Sequence, residues 1–244
     1  MSRFPIMRCA THLLILTLAV GCAGTEAPET TGTTTPTGTT TEVAKTSATS
    51  DRDSWQKPQE VFMLMGNDLR GRTIADLAAG DGYFTFKLIE VGANVIAISD
   101  DQGLLDAIEL RKQELKLGPD RLQTRLVPKG QAGLAPEEVD ACLLVHSYVS
   151  IPDKKAYLQQ VYAGTKMPKP LFIVEWLNTE TPMGPPMTDR ISSDRIMDDV
   201  GLAGYTDVGA YATKIPNQVF LFASFQNGLG DDTQGMNPAQ LMNQ

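Results

Sequence analysis

Histidine is nearly missing from this chain of 244 residues, which holds two of them, and cysteine and tryptophan are almost as scarce at three and two. So few cysteines rule out a disulfide-stapled fold, and no His, Cys or carboxylate cluster has metal-ligand spacing. Basic residues are also short: 21 Lys and Arg stand against 29 Asp and Glu. With no basic stripe to neutralise phosphates, nucleic acid is not an expected partner. No apolar run reaches the ~20 residues that cross a bilayer.

What is there begins with a leader. "MSRFPIMRCATHLLILTLAVGC" has a basic start (Arg3, Arg8), an apolar run from Leu13 to Val20, and small Ala19 and Gly21 before Cys22. That reads as a secretory signal over residues 1–21. "LAVGC" resembles a bacterial lipobox, which implies acylation of Cys22 and a membrane contact through the lipid. Ala23 follows where an aspartate would retain the protein at the inner membrane, so the resemblance favours an outer-membrane address with the domain on the periplasmic or surface face. Residues 22–50, rich in Thr and poor in large apolar side chains, cannot offset the entropy of ordering and read as a tether. Residues 226–244 read as a loose tail, leaving a domain over 51–225. Within it Cys142 reads as a buried small hydrophobe.

Between the ends, strand-like and helix-like stretches alternate. "TIADL", "NVIAIS", "RLQTRLV", "DACLLVHS" and "LFIVEWL" are short apolar strands, and the stretches after the first, second and fourth have helical spacing. "SSDRIMDDVG" adds a capped helix, and "YTDVGAYATK" with "NQVFLFASF" forms a hairpin around "IPN". Strict alternation predicts an α/β sandwich, a mostly parallel seven-stranded sheet closed by an antiparallel pair.

The first strand runs into "DLAAGDGYFT". Gly80 and Gly82 stand where a strand-to-helix turn needs positive φ or lets a ligand approach, and Asp76 is placed to hold the loop through its amides. Ala78 replaces the first glycine of a dinucleotide fingerprint and no third follows, which argues against a nicotinamide oxidoreductase. A turn with glycines for steric reasons alone gives the same pattern.

Residues from about 51 to 225 resemble a group of class I methyltransferase-like proteins that use S-adenosylmethionine. The resemblance rests on "DSWQKPQEVF", "DLAAGDGYFT", "VDACLLVHSYVSIPD", "VEW", "PMGPP" and "RISSDRIMDDVGLAGY", in that order, and on the closing hairpin. It implies a Rossmann-like fold, S-adenosylmethionine as cofactor, and a methyl acceptor that is a small molecule or an exposed surface group. Cofactor contacts carried over by position are Asp76, Ala78, Gly80 and Gly82 in the loop, Ser99 or Asp100 at the ribose, and Gln131 in "VPKGQAGLA" at the adenine.

The departures from the family pattern are specific. Ser99 stands where the second strand normally ends in an acid, and Asp100 replaces that acid only if the strand ends one residue later. Gln131 replaces another acid, and Val149 and Ser150 replace paired histidines. His146, at the carboxyl end of the fourth strand, is placed to serve as a general base near its ordinary pKa, or else as a hydrogen-bonded histidine with no proton to move. Tyr148, and more weakly Glu175, are candidate acceptor contacts. Two readings follow: a lipid-anchored, extracytoplasmic methyltransferase, or a non-catalytic relative that keeps the fold as a ligand- or protein-binding module.

Overall fold

A computed structural model describes residues 51–212 and 214–226. Cys22, the leader, the tether and nearly all of the tail lie outside the described residues.

A helical stretch at 51–56 comes first and is broken from α1 (Pro58–Met65) by Lys57, whose φ of 47° no helix continues through. No helix is expected at 51–56 from the sequence, because so short and polar a run carries no helical period. Seven strands follow: β1 (Thr73–Leu77), β2 (Asn94–Ser99), β3 (Leu122–Leu126), β4 (Ala141–Val145), β5 (Leu171–Trp176), β6 (Asp207–Tyr211) and β7 (Gln218–Ser224). Between them run α2 (Tyr83–Glu90), α3 (Gln102–Glu114), α4 (Lys154–Gly164) and α5 (Ser193–Leu202). The sheet order is β3-β2-β1-β4-β5-β7-β6. β1 to β5 pair in parallel, and β7 runs antiparallel between β5 and β6. The expected sandwich is therefore the one observed, and the hairpin folds its second strand inward.

Both faces of the sheet are buried, which explains why the central strands lack alternation. Ile74, Val95, Leu143, Phe172 and Phe220 pack on one side with Val61, Met65, Leu88 and Ile108; Leu77, Ile98, Leu144, Ile173 and Leu221 pack on the other with Leu158, Val161, Ile196 and Val200. Cys142 is fully buried against the Thr165 hydroxyl, and burial pushes its thiol up to about 12, as inert as the sequence suggests.

Side-chain caps fix where helices begin, and so where loops open. Asp101 accepts from the amides of Gly103 and Leu104 to start α3, Asp153 from Ala156 to start α4, and Ser192 from Arg195 to start α5. No described helix is long and apolar enough to cross a membrane.

Candidate functional site

The order of strands reverses between β1 and β4: β2 lies on one side of β1 and β4 on the other. In open α/β sheets a crevice opens outside the carboxyl ends of the strands at such a point. A cleft of ≈ 210 Å³ lies there, lined by Ala78 and Gly80 after β1, Ile98, Ser99 and Asp100 at β2, Val127 to Gln131 after β3, and Leu144 and Ser147 at β4. Ile151, Pro152 and Tyr157 complete an apolar end. A larger hollow, ≈ 370 Å³, lies between α2 and α3, away from the strand ends.

Five of the residues singled out in the sequence, Ala78, Gly80, Ser99, Asp100 and Gln131, thus line one cleft. Ala78 takes a φ of 58° and Gly80 one of 55°, so the chain doubles back and turns its backbone toward the opening. A Cβ at Gly80 would meet nothing nearer than Ala78 O at 4.0 Å, so a side chain there projects into open space. β2 ends at Ser99, which is buried and whose Oγ accepts the Asp101 amide at 3.1 Å. The exposed carboxylate in the cleft is that of Asp100.

Other assignments need correcting. Gly82 does not line the cleft: a Cβ there would lie 2.8 Å from Ile108 Cγ1 and 3.0 Å from Phe86 Cε2, so this glycine lets α2 pack on α3 instead of admitting a ligand. Asp76 is buried behind the loop and spans to α2, accepting from Thr85 Oγ1 at 2.5 Å. Tyr148 is fully buried, its hydroxyl donating to Asp199 Oδ2 at 3.0 Å, with burial holding its pKa far above the ordinary phenol value. Glu175 is also turned inward; its Oε1 accepts the Tyr148 amide at 2.8 Å and pins the turn after β4. The hydroxyl of Tyr148 and the carboxyl of Glu175 therefore support the wall of the site from behind.

His146 has a φ of 52°, a rare conformation for a side chain of its size, and it sits against the rings of Trp55 and Trp176. Its Nε2 lies 2.8 Å from Gln218 Oε1. The Gln218 amide group donates to Trp55 O and Pro216 O, which leaves Oε1 as acceptor and puts the imidazole proton on Nε2. Nδ1 then carries a lone pair with no hydrogen-bond partner among the described residues. Burial pulls the His146 pKa down to about 4, against the Gln218 hydrogen bond, with the Arg52 charge adding to the drop. The expectation of a base near its ordinary pKa is overturned: desolvation keeps this imidazole neutral and weakly basic.

Trp55, His146 and Trp176 form one cluster. His146 and Trp176 have centroids 4.6 Å apart, Trp55 and Trp176 5.5 Å, and Trp55 and His146 6.1 Å, with all planes within 20° of parallel. Rings on opposite faces of Trp176 would be separated by two ring thicknesses, ~7 Å. Trp55 and His146 therefore do not sandwich Trp176; the three rings are mutually near-parallel neighbours. These are both tryptophans of the chain. Their rarity was the available signal, but nothing in spacing joins a residue ahead of the fold to the end of β5.

The buried carboxyls set a pH dependence. Burial lifts Asp76 to about 7, against hydrogen bonds from Thr85, and lifts Glu175 to about 7, against three backbone amides. A raised folded-state pKa gives stability that is complete below the unfolded pKa near 4 and lost as pH rises through 7. His146 has the opposite sign: its stabilisation is present above 6.5 and lost as pH falls through 4. Stability from Asp76 is therefore expected to fall by about 2–3 kcal/mol between pH 5 and pH 8. Urea melts at the two pH values should show Asp76→Asn losing that part of the difference; an unchanged difference would mean Asp76 is ionised in the folded protein.

Comparison with known proteins finds no matching family model and no matching curated protein. Solved structures do match. A SAM dependent methyltransferase from Aquifex aeolicus aligns with a TM-score of 0.64 at 18% identity, over 74% of this chain and 98% of that one. The [4+2]-cyclase SpnF aligns at 0.58 and 13% identity, over 70% and 81%. Phosphoethanolamine N-methyltransferase 2 of Haemonchus contortus, in complex with S-adenosyl-L-methionine, aligns at 0.60 and 11% identity, over 71% of this chain and 53% of that one. The fold of this chain is that of Rossmann-like SAM-dependent methyltransferases.

Proposed function

We propose that this protein binds S-adenosylmethionine and transfers its methyl group to a small or exposed acceptor, from a lipid anchor outside the cytoplasm. The observation that carries the reading is the cleft itself: the loop of Ala78 and Gly80, the Asp100 carboxylate and the Gln131 amide converge at the carboxyl ends of parallel strands. These residues suit the group. Asp100 is an exposed acceptor for a ribose diol, Gln131 offers a neutral donor and acceptor to an adenine edge, and Ile151 and Tyr157 give a base apolar walls.

Bound there, the cofactor would supply a methyl group on a cationic sulfur, whose transfer asks mainly for alignment. The chain contributes little acid–base chemistry: the His146 Nδ1 lone pair is present at neutral pH but holds a proton weakly. Calorimetry of the purified protein with S-adenosylmethionine and S-adenosylhomocysteine tests the reading, which fails if neither binds at millimolar concentration.

A second reading has its own support. The Trp55 and Trp176 rings crowd the neutral His146, which does not line the cleft, and a cyclase shares the fold, so a ligand-binding or non-transferring role fits as well. Cofactor binding with no methyl transfer to any acceptor offered would favour it.

The anchor rests on Cys22, behind small Ala19 and Gly21. Cys22→Ser is expected to move the protein from the membrane to the soluble fraction. A mutant that stays in the membrane, together with a wild-type N-terminal peptide of unmodified mass, would remove lipidation from the proposal.

A further inference from the structure

The 51–56 stretch is joined to the domain as a strap. It is separated from α1 by the left-handed Lys57; Gln56 is its one buried side chain, and its other fastenings are ion pairs, hydrogen bonds and ring contacts. Arg52 pairs with Asp81 at 2.6 Å and lies over the Tyr83 ring, and Asp53 bonds the Tyr83 hydroxyl and Lys87. The Trp55 carbonyl accepts from Gln218. Through these contacts the strap joins Asp81, the residue after Gly80, to Gln218, the hydrogen-bond partner of His146. Its one large ring, Trp55, lies half-buried and stacked with the Trp176 indole, 8° from parallel with His146.

That surface is built for a flat, uncharged ring. Trp176 presents an indole face, and stacked with it is an imidazole kept neutral by burial, whose Nδ1 has no hydrogen-bond partner among the described residues. The nearby carboxyl of Glu175 is turned away into backbone amides. Behind Trp176 the β5–α5 loop is held rigid: Arg190 donates to the carbonyls of Leu177, Thr179, Met183 and Pro185 and to the Thr181 hydroxyl, and a Cβ on Gly184 would come 2.8 Å from Trp176 Cε3. The platform is fixed, whereas the ring that covers it belongs to a separately attached segment.

We propose that the Trp176 face beside His146 is the subsite for a flat aromatic acceptor, and that Trp55 is its internal stand-in, displaced with the 51–56 strap when the acceptor binds. The assignment deepens the methyl-transfer reading and rests on it for the word acceptor; the aromatic subsite itself does not require the cofactor. Flat apolar rings stack on indole by area and quadrupole, so a phenol-sized ring gains here a large part of what Trp55 gives up. Because the strap competes, the affinity observed in the intact protein is the intrinsic one multiplied by the fraction of strap released.

The two tryptophans make the subsite directly visible, since the protein has two indole N–H signals in an NMR spectrum. Titration with p-cresol is expected to shift both, with the Trp55 signal moving toward its value in unfolded chain, whereas cyclohexanol at equal concentration moves neither. Arg52→Ala, which loosens the strap and leaves Trp55, His146 and Trp176 in place, should tighten p-cresol binding about two- to five-fold. Trp55→Ala should tighten it ten-fold or more, and Trp176→Ala should abolish it. The proposal is overturned if p-cresol leaves the Trp55 signal in place, if cyclohexanol matches it, or if Trp176→Ala binds as well as wild type. A gain in Trp55→Ala with none in Arg52→Ala would be the filling of an artificial hole and would overturn it too. Loss of S-adenosylhomocysteine binding with p-cresol binding intact would instead count against the methyl-transfer reading alone.

Discussion

Asp100→Asn is expected to weaken S-adenosylhomocysteine binding 20- to 100-fold, the loss of about 2–3 kcal/mol that follows from removing a charged acceptor of paired hydroxyls. β2 ends at Ser99, whose hydroxyl oxygen is occupied by the Asp101 amide, and the Asp101 carboxylate is occupied in turn by the first amides of α3. Of the three consecutive polar side chains, Asp100 alone is exposed in the cleft with no hydrogen-bond partner among the described residues. Ser99→Asp, which puts an acid at the last residue of β2, is expected to weaken binding as well: it places a carboxylate in a buried position beside two others. Calorimetry on both variants decides. Tighter binding by Ser99→Asp with Asp100→Asn unchanged would return the ribose to Ser99.

Gly82→Val should cost about 3–5 kcal/mol of stability, with a melting temperature lower by ~10 °C. Two costs add. The φ of 78° is strained for a β-branched side chain, and the first added carbon already falls 2.8 Å from Ile108 Cγ1, on a fully buried side chain that has no room to retreat. Gly80→Ala makes the contrast. It has a similar φ but open space around it, so its cost is about 1 kcal/mol while its methyl narrows the cleft and lowers cofactor affinity. Thermal melts and binding on the same two proteins separate the roles. If Gly82→Val melts with wild type and loses only affinity, Gly82 belongs to the ligand site after all.

These two glycines also show how far the sequence reaches. Their place after an apolar strand and ahead of an amphipathic helix announces a strand-to-helix turn, because backbone freedom is a local property. Which of them faces the ligand is not local. It depends on where Ile108, in the next helix, comes to rest. The same division separates Ser99 from Asp100: the spacing brings both to the end of β2, and only the cap of α3 at Asp101 decides which carboxylate or hydroxyl is left free.

By itself the sequence determined the alternation of strands and helices, the parallel sheet with its closing hairpin, and the set of loops from which a cleft is made. Apolar periodicity and turn residues act within a few positions of one another, so they can be read along the chain. Only the tertiary structure decided the direction of the side chains at the strand ends. Tyr148 and Glu175 are absorbed into the wall, His146 is desolvated to a pKa of about 4, and Trp55 is carried across to Trp176, 121 positions away in the chain. Burial and stacking are properties of neighbours in space, and a pKa follows from what surrounds a group and not from what precedes it in the chain.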